Sequence, residues 1–197
     1  MCTLGLKVGV QDSYMTIAIH DTVLTCECDE PEGIVNRSIY PMILTPRALK
    51  EFWERARHHN TLFSADVRGD FKTFLELFLH ELPSGDIECH GLFWVVDDYI
   101  GVYYMTDIKP GVDAQVHYSF FDGRHKGRVN MSRMLLKHAF DEYKFHRLSA
   151  SIPLYAQPAL MFVEKMGFKK EGRKRSFAWH NNQWFDVNLY GILRDEV

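Results

Sequence analysis

Ala114-Gln115-Val116-His117-Tyr118-Ser119-Phe120-Phe121 runs straight into Asp122-Gly123-Arg124-His125-Lys126-Gly127-Arg128-Val129. The first stretch is short and aromatic and ends at turn residues, so it reads as a strand. The second carries two glycines among basic side chains and reads as a loop. A helix then begins near Asn130, with Met131, Met134, Leu135 and His138 on one face. It leads to a further strand, Arg147 to Ile152. A loop between a strand and a helix N-terminus leaves several backbone N–H groups free. Together with the positive end of the helix dipole they suit a pyrophosphate. Arg124, Lys126 and Arg128 add charge to the same loop.

Alternating apolar residues upstream of this unit predict strands over the first 36 residues, with a turn at Asp29–Gly33 and a further strand from Ser38 to Leu44. Thr45 and Pro46 read as the cap and first residue of a helix whose apolar face is Leu49, Phe52, Trp53 and Ala56. The 3–4 spacing from Phe71 to Leu82 predicts a second helix, starting at Asp70. Strands Ile87–Val96, Tyr99–Ile108 and Ala114–Phe121 follow, joined by turns too short for anything but antiparallel pairing. Downstream, Pro158 opens a short helix with Ala159, Phe162, Val163 and Met166 inward. Gly167 is placed as its left-handed terminator and Phe168 as the contact beyond. Strands Ser176–Trp179 and Trp184–Leu193 flank a turn at His180–Gln183. The expectation is an α+β domain: one mixed, mostly antiparallel sheet flanked by about four helices. Residues 1–36 are expected to be a β extension of that same domain, residues 37–197.

The chain has 197 residues, 46% hydrophobic and 25% charged, an ordinary globular composition. With 23 basic and 26 acidic residues its net charge is −3, which argues against nucleic acid as a partner. No apolar run approaches a membrane span, and Met1–Val10 lacks the pattern of a signal peptide. Cys2, Cys26, Cys28 and Cys89 show no zinc-type spacing, so no metal is expected and reduced thiols in a cytoplasmic setting are.

Three stretches resemble one family, the Gcn5-related N-acetyltransferases (GNAT), and within it the ribosomal-protein alanine N-acetyltransferase branch. The first is Arg124-His125-Lys126-Gly127-Arg128-Val129, close to the family's Arg/Gln-x-x-Gly-x-Gly/Ala loop. The second is Phe162-Val163-Glu164-Lys165-Met166-Gly167-Phe168-Lys169-Lys170-Glu171-Gly172. The third is the terminal strand from Trp184 to Glu196. The resemblance covers about Tyr40 to the end and leaves the first 36 residues unexplained. It implies a GNAT fold, acetyl-CoA as co-substrate and transfer of an acetyl group to a primary amine of a protein or small molecule. It also implies that the pyrophosphate sits on the loop Arg124–Val129. The pantetheine arm would then run beside the strand that ends in Phe120 and Phe121. The chain departs from the family at Val129, where a small residue is usual. It departs again at Ala156 and Ala159, where Asn and Ser are usual, and at Val163, where many members carry an acidic Tyr. These departures favour the other reading, a non-catalytic GNAT-fold acyl-CoA sensor or assembly component.

Amine acetylation needs a base for the amine and a stabilising group for the departing thiolate. His117, on the strand before the loop, has a side chain that titrates near neutrality and is the expected base. Tyr155 is the expected acid, in place of the missing helical Tyr, and Gln157 replaces the missing Asn as a pantetheine contact. Ser119 shares the His117 face and is expected to pack. Asp107 and Glu88 are the carboxylates expected on neighbouring strands. The basic run Lys169–Arg175 reads as a solvated face. The N-terminal strands are expected to extend the sheet or to form a homodimer contact.

Overall fold

The computed structural model describes residues 6–10, 13–17, 23–30, 33–42, 44–84, 87–89, 91–97, 99–121 and 127–197; for 6–10, 13–17, 26–30, 33–36 and 87 it describes the backbone alone. The chain runs β1 (Leu6–Val10), β2 (Ser13–Ile17), β3 (Leu24–Glu30), β4 (Gly33–Pro41), α1 (Pro46–Ala56), α2 (Ala65–Gly69) and α3 (Phe71–Leu75). It continues through β5 (Leu79–Glu81), β6 (Ile87–Cys89), β7 (Leu92–Val96), β8 (Gly101–Lys109) and β9 (Asp113–Phe120). It ends with α4 (Arg128–Tyr143), β10 (Arg147–Pro153), α5 (Gln157–Lys165), β11 (Lys169–His180), β12 (Gln183–Leu193) and a 3-10 turn, Arg194–Glu196.

Eight strands make one sheet in the order β11-β12-β10-β9-β8-β7-β4-β3. Only β9 and β10 are parallel. β1–β2 and β5–β6 form two separate two-stranded sheets. Strand alternation divides the core in two. Tyr103, Met105 and Val116 face α4 and α5, meeting Met131, Leu135, Phe140 and Val163. Val102 and Tyr104 face α1–α3, meeting Phe52, Phe74 and Phe78. Phe52 is fully buried and packs against Phe63, Phe74, Phe78, Tyr104 and Phe121. The α+β class and the one large mixed, mostly antiparallel central sheet are those expected from the sequence.

Local chemistry explains the elements that match. The Thr45 hydroxyl accepts the Ala48 N–H at 3.1 Å, with Pro46 opening α1, a cap worth about 1 kcal/mol. α5 ends in a Schellman arrangement: Phe168 N–H donates to the Val163 carbonyl and Gly167 N–H to the Glu164 carbonyl. Gly167 takes φ +98°, as this ending requires.

Three expectations are corrected. The helix read from Asp70 to Leu82 stops at Leu75, and α2 precedes it unforeseen. Asp70 separates the two: its carboxylate accepts the Thr73 N–H at 2.8 Å and caps α3. Phe74 and Phe78 are both buried, so their spacing reports a common core contact, while the backbone tightens through Leu77 and Phe78 N–H bonds three residues back. The strand read over Ile87–Val96 is two strands in different sheets. They part at Gly91, where a Cβ would lie 2.7 Å from the Phe93 ring and 2.9 Å from the Met105 carbonyl oxygen. Third, Ala159 of α5 is exposed, with Leu160 inward in its place, whereas the basic run Lys169–Arg175 is the exposed face expected of it and forms the first half of β11.

Candidate active site

The parallel strands β9 and β10 are in register at one pair only, Ser149 opposite Gln115. Beyond it β9 stays on β8 as far as Phe120, and β10 stays on β12 as far as Pro153. The two strands therefore diverge toward their C-terminal ends, and an opening forms in the middle of the sheet. Parallel crossover connections place ligands at such carboxyl ends.

The opening points toward the N-terminus of α4. Gly127 is the N-cap residue, and its carbonyl accepts the Met131 N–H. Among the described residues no side chain caps this end, and no acidic residue lies in the first turn. The first-turn N–H groups of a helix have no partner within the helix, and such an end suits an anion. The Arg128 guanidinium lies 5.4 Å over the Phe120 ring. Val129 packs its branched side chain against the main core, so its bulk is absorbed there. Arg124, His125 and Lys126 lie outside the described residues. An uncapped, acid-free helix start beside parted strands fits the phosphate end and arm of acetyl-CoA.

Phe120 and Phe121 divide across the sheet. Phe120 packs on Tyr103 and Phe162. Phe121 packs on Phe52 and His59, with its N–H donated to the Ile100 carbonyl. Gln157 opens α5, and its Nε2 donates to the Leu154 carbonyl at 2.7 Å. Val163, at the position where the family often carries Tyr, is sealed in the core.

His117 lies on β9, and Tyr155 lies just beyond the end of β10. The His117 ring stacks on Tyr104, with centroids 4.4 Å apart and planes 5° from parallel, and its Nε2 lies 2.9 Å from the Thr106 Oγ1. Burial disfavours its charged form and pushes the pKa down to about 4, so the ring is neutral at pH 7. Ser119 is buried and bonds the Tyr104 hydroxyl, as expected of a packing residue. Tyr155 stacks on His180 at 4.1 Å and meets Phe185 edge-on, which fixes it against the β11–β12 hairpin. Burial raises its pKa above the ordinary phenol value, so it stays protonated.

Gln115 lies two residues before His117 and shares its face of the sheet. There an open cavity of about 380 Å³ is lined by Asp107, Gln115, Ser149, Ser151, Glu171 and Lys174, among others. Ser149 donates to the Asp113 carboxylate and Ser151 to the Gln115 amide oxygen. Arg147 pairs with Glu171 at 2.6 Å. Asp107 sits at a bulge with φ +49°. Glu88 is displaced from the expected place: it pairs with His80 in the small β5–β6 sheet, away from β9. Sequence reasoning missed Thr106 and Tyr104. The signal for both was the β8–β9 hairpin register, which the bulge at Asp107 alters.

A mixed sheet whose two parallel strands pair at one position, followed by a helix that starts beside them, is the architecture of an acetyltransferase-type α+β fold. Residues 47–189 match the family described as acetyltransferase (GNAT) domain, and the chain belongs to that family. It is similar to the probable N-acetyltransferase YjcK of Bacillus subtilis, 32% identical over 136 residues, which span 66% of this chain and 74% of that protein. Among solved structures it resembles Mycobacterium smegmatis RimJ in complex with CoA-disulfide, with a TM-score of 0.65, 17% identity and 90% of each chain covered. It also resembles the ribosomal-protein-S5-alanine acetyltransferase of Vibrio fischeri, with a TM-score of 0.61, 18% identity and coverage of 88% and 98%. The chain is an N-acetyltransferase whose co-substrate is acetyl-CoA. Among the described residues no helix is long and apolar enough to cross a membrane.

Proposed function

We propose that the protein acetylates a primary amine of a protein or small molecule, with His117 as general base and Tyr155 as the group that assists the departing thiolate. The observation that carries this reading is His117 itself: a neutral imidazole, oriented by Thr106, two residues past the point where β9 and β10 part. In the productive tautomer Nε2–H donates to the Thr106 hydroxyl, which leaves the Nδ1 lone pair to take the amine proton, directly or through one water. Thr106 is then a positioning residue. Acetyl-CoA supplies the acetyl group as a thioester. Tyr155, held protonated, donates its phenolic hydrogen toward the sulfur. Arg124, His125, Lys126, Gly127, Arg128 and Val129 hold the phosphates, while Phe120, Phe121 and Gln157 border the arm.

The acceptor amine enters from the cavity on the His117 face. Its acidic Asp107 and Glu171 and its basic Lys174 suit a polar acceptor. A peptide substrate is supported by the resemblance to the ribosomal-protein acetyltransferases. We place the enzyme in the cytoplasm, in keeping with the buried thiol of Cys89, which forms no disulfide, and assign β1 and β2, which stand apart from the main sheet that β3 edges, to a homodimer contact.

The test is a panel of peptide N-terminal amines, lysine-bearing proteins and small amines, incubated with acetyl-CoA and read as free thiol. Saturable thiol release with one class identifies the acceptor. Silence across the panel, with acetyl-CoA bound, would overturn the acceptor assignment and leave the sensor reading.

A further inference from the structure

Tyr118 stands next to His117 on β9 but faces the other side of the sheet. Its ring is held edge-on between Tyr103 of β8 at 5.2 Å and Phe162 of α5 at 5.5 Å. Its hydroxyl is sealed from solvent and has no hydrogen-bond partner among the described residues. Buried hydroxyls are almost always bonded, and one that is not calls for an explanation. The neighbouring Tyr103 shows the usual outcome, since its hydroxyl lies 2.9 Å from the Ser132 Oγ.

The location supplies the explanation. Tyr118 is three residues beyond Gln115, where the ladder to β10 has already ended. It is also nine residues before Gly127, the N-cap at the anion end of the site. An arm reaching from the helix start to the fork of the strands passes this stretch of β9. The α5 side chain packed against it, Phe162, has no hydrogen-bonding group. We propose that the Tyr118 hydroxyl binds the pantetheine arm of the cofactor, donating its hydrogen to an amide carbonyl of that arm. The contact rests on the acetyl-CoA reading of the site and adds to it a side chain that no family motif marks.

Tyr118→Phe removes the hydroxyl and keeps the ring contacts. The wild-type chain and Y118F are titrated calorimetrically with CoA and with adenosine 3′,5′-bisphosphate, which lacks the arm. Both proteins are also melted without ligand. Loss of one hydrogen bond predicts about a three- to tenfold weaker CoA affinity in Y118F. Adenosine 3′,5′-bisphosphate affinity should be unchanged. The unliganded variant should melt at the same temperature as wild type or higher, because a buried donor without a partner has been removed. CoA affinity within twofold of wild type would overturn the proposal, as would equal weakening of both ligands. A lower melting temperature would overturn it as well, by showing that the hydroxyl has a structural partner. Failure of the wild-type chain to bind CoA would instead remove the cofactor reading, and this contact with it.

Discussion

The Nε2 of His117 lies 2.9 Å from the Oγ1 of Thr106, on the adjoining strand. The bond fixes the ring plane over Tyr104 and selects which nitrogen is open. Replacing Thr106 with Val should therefore lower kcat by about tenfold, at the small end of what general-base catalysis is worth. Acetyl-CoA affinity should be unchanged. Calorimetry and steady-state rates on the same preparation separate the two effects, and an unaltered kcat would detach Thr106 from the chemistry.

The acid limb of the pH–rate profile should fall near pH 4, well below the 6.5 of an ordinary imidazole, because burial holds His117 neutral down to about that pH. The same shift has a stability consequence. The unfolded chain binds this proton below about pH 6.5, and the folded chain only below about pH 4. Stability from His117 is thus full above pH 6.5 and lost as the pH falls toward 4. Melting curves across that window should be flatter for His117→Ala than for wild type. Parallel curves for the two proteins would show that His117 has no depressed pKa.

Gly127→Glu places a carboxylate at the uncapped start of α4, beside Arg128. CoA affinity should drop at least tenfold, about 1.4 kcal/mol, with the circular dichroism spectrum unchanged. An unchanged dissociation constant on a folded variant would show that the phosphates bind elsewhere.

Removing residues 1–36 deletes β3 and the first part of β4, which is paired to β7 through Ile39, Tyr40 and Pro41. Ile39 is fully buried. The shortened chain should aggregate or melt at a lower temperature, since a paired strand becomes a free edge. A soluble product with unaltered melting and oligomeric state would refute a structural role for this region.

The order of the elements around Ala114–Val129 was legible because each was marked by local chemistry: a cap at Thr45, a terminator at Gly167, a glycine turn before α4. What was not legible depended on partners distant in sequence. The spacing of Phe74 and Phe78 looks helical because both reach the same core, although the chain turns between them. The setting of His117 was hidden by one extra residue. Counting outward from Lys109 opposite Asp113 would set Met105 across from His117, on the wrong face. The bulge at Asp107 shifts the register so that Tyr104 stands there instead. Thr106 then comes within reach.

In the proposed reaction a neutral His117 removes the proton from the acceptor amine. With an acceptor identified by the panel, thiol release by His117→Ala is measured at saturating acetyl-CoA beside its calorimetric CoA affinity. A fall in kcat of about two orders of magnitude, with CoA affinity within twofold of wild type, is the predicted result. A kcat within about threefold of wild type on the folded variant would contradict it and move the role of base to Asp107.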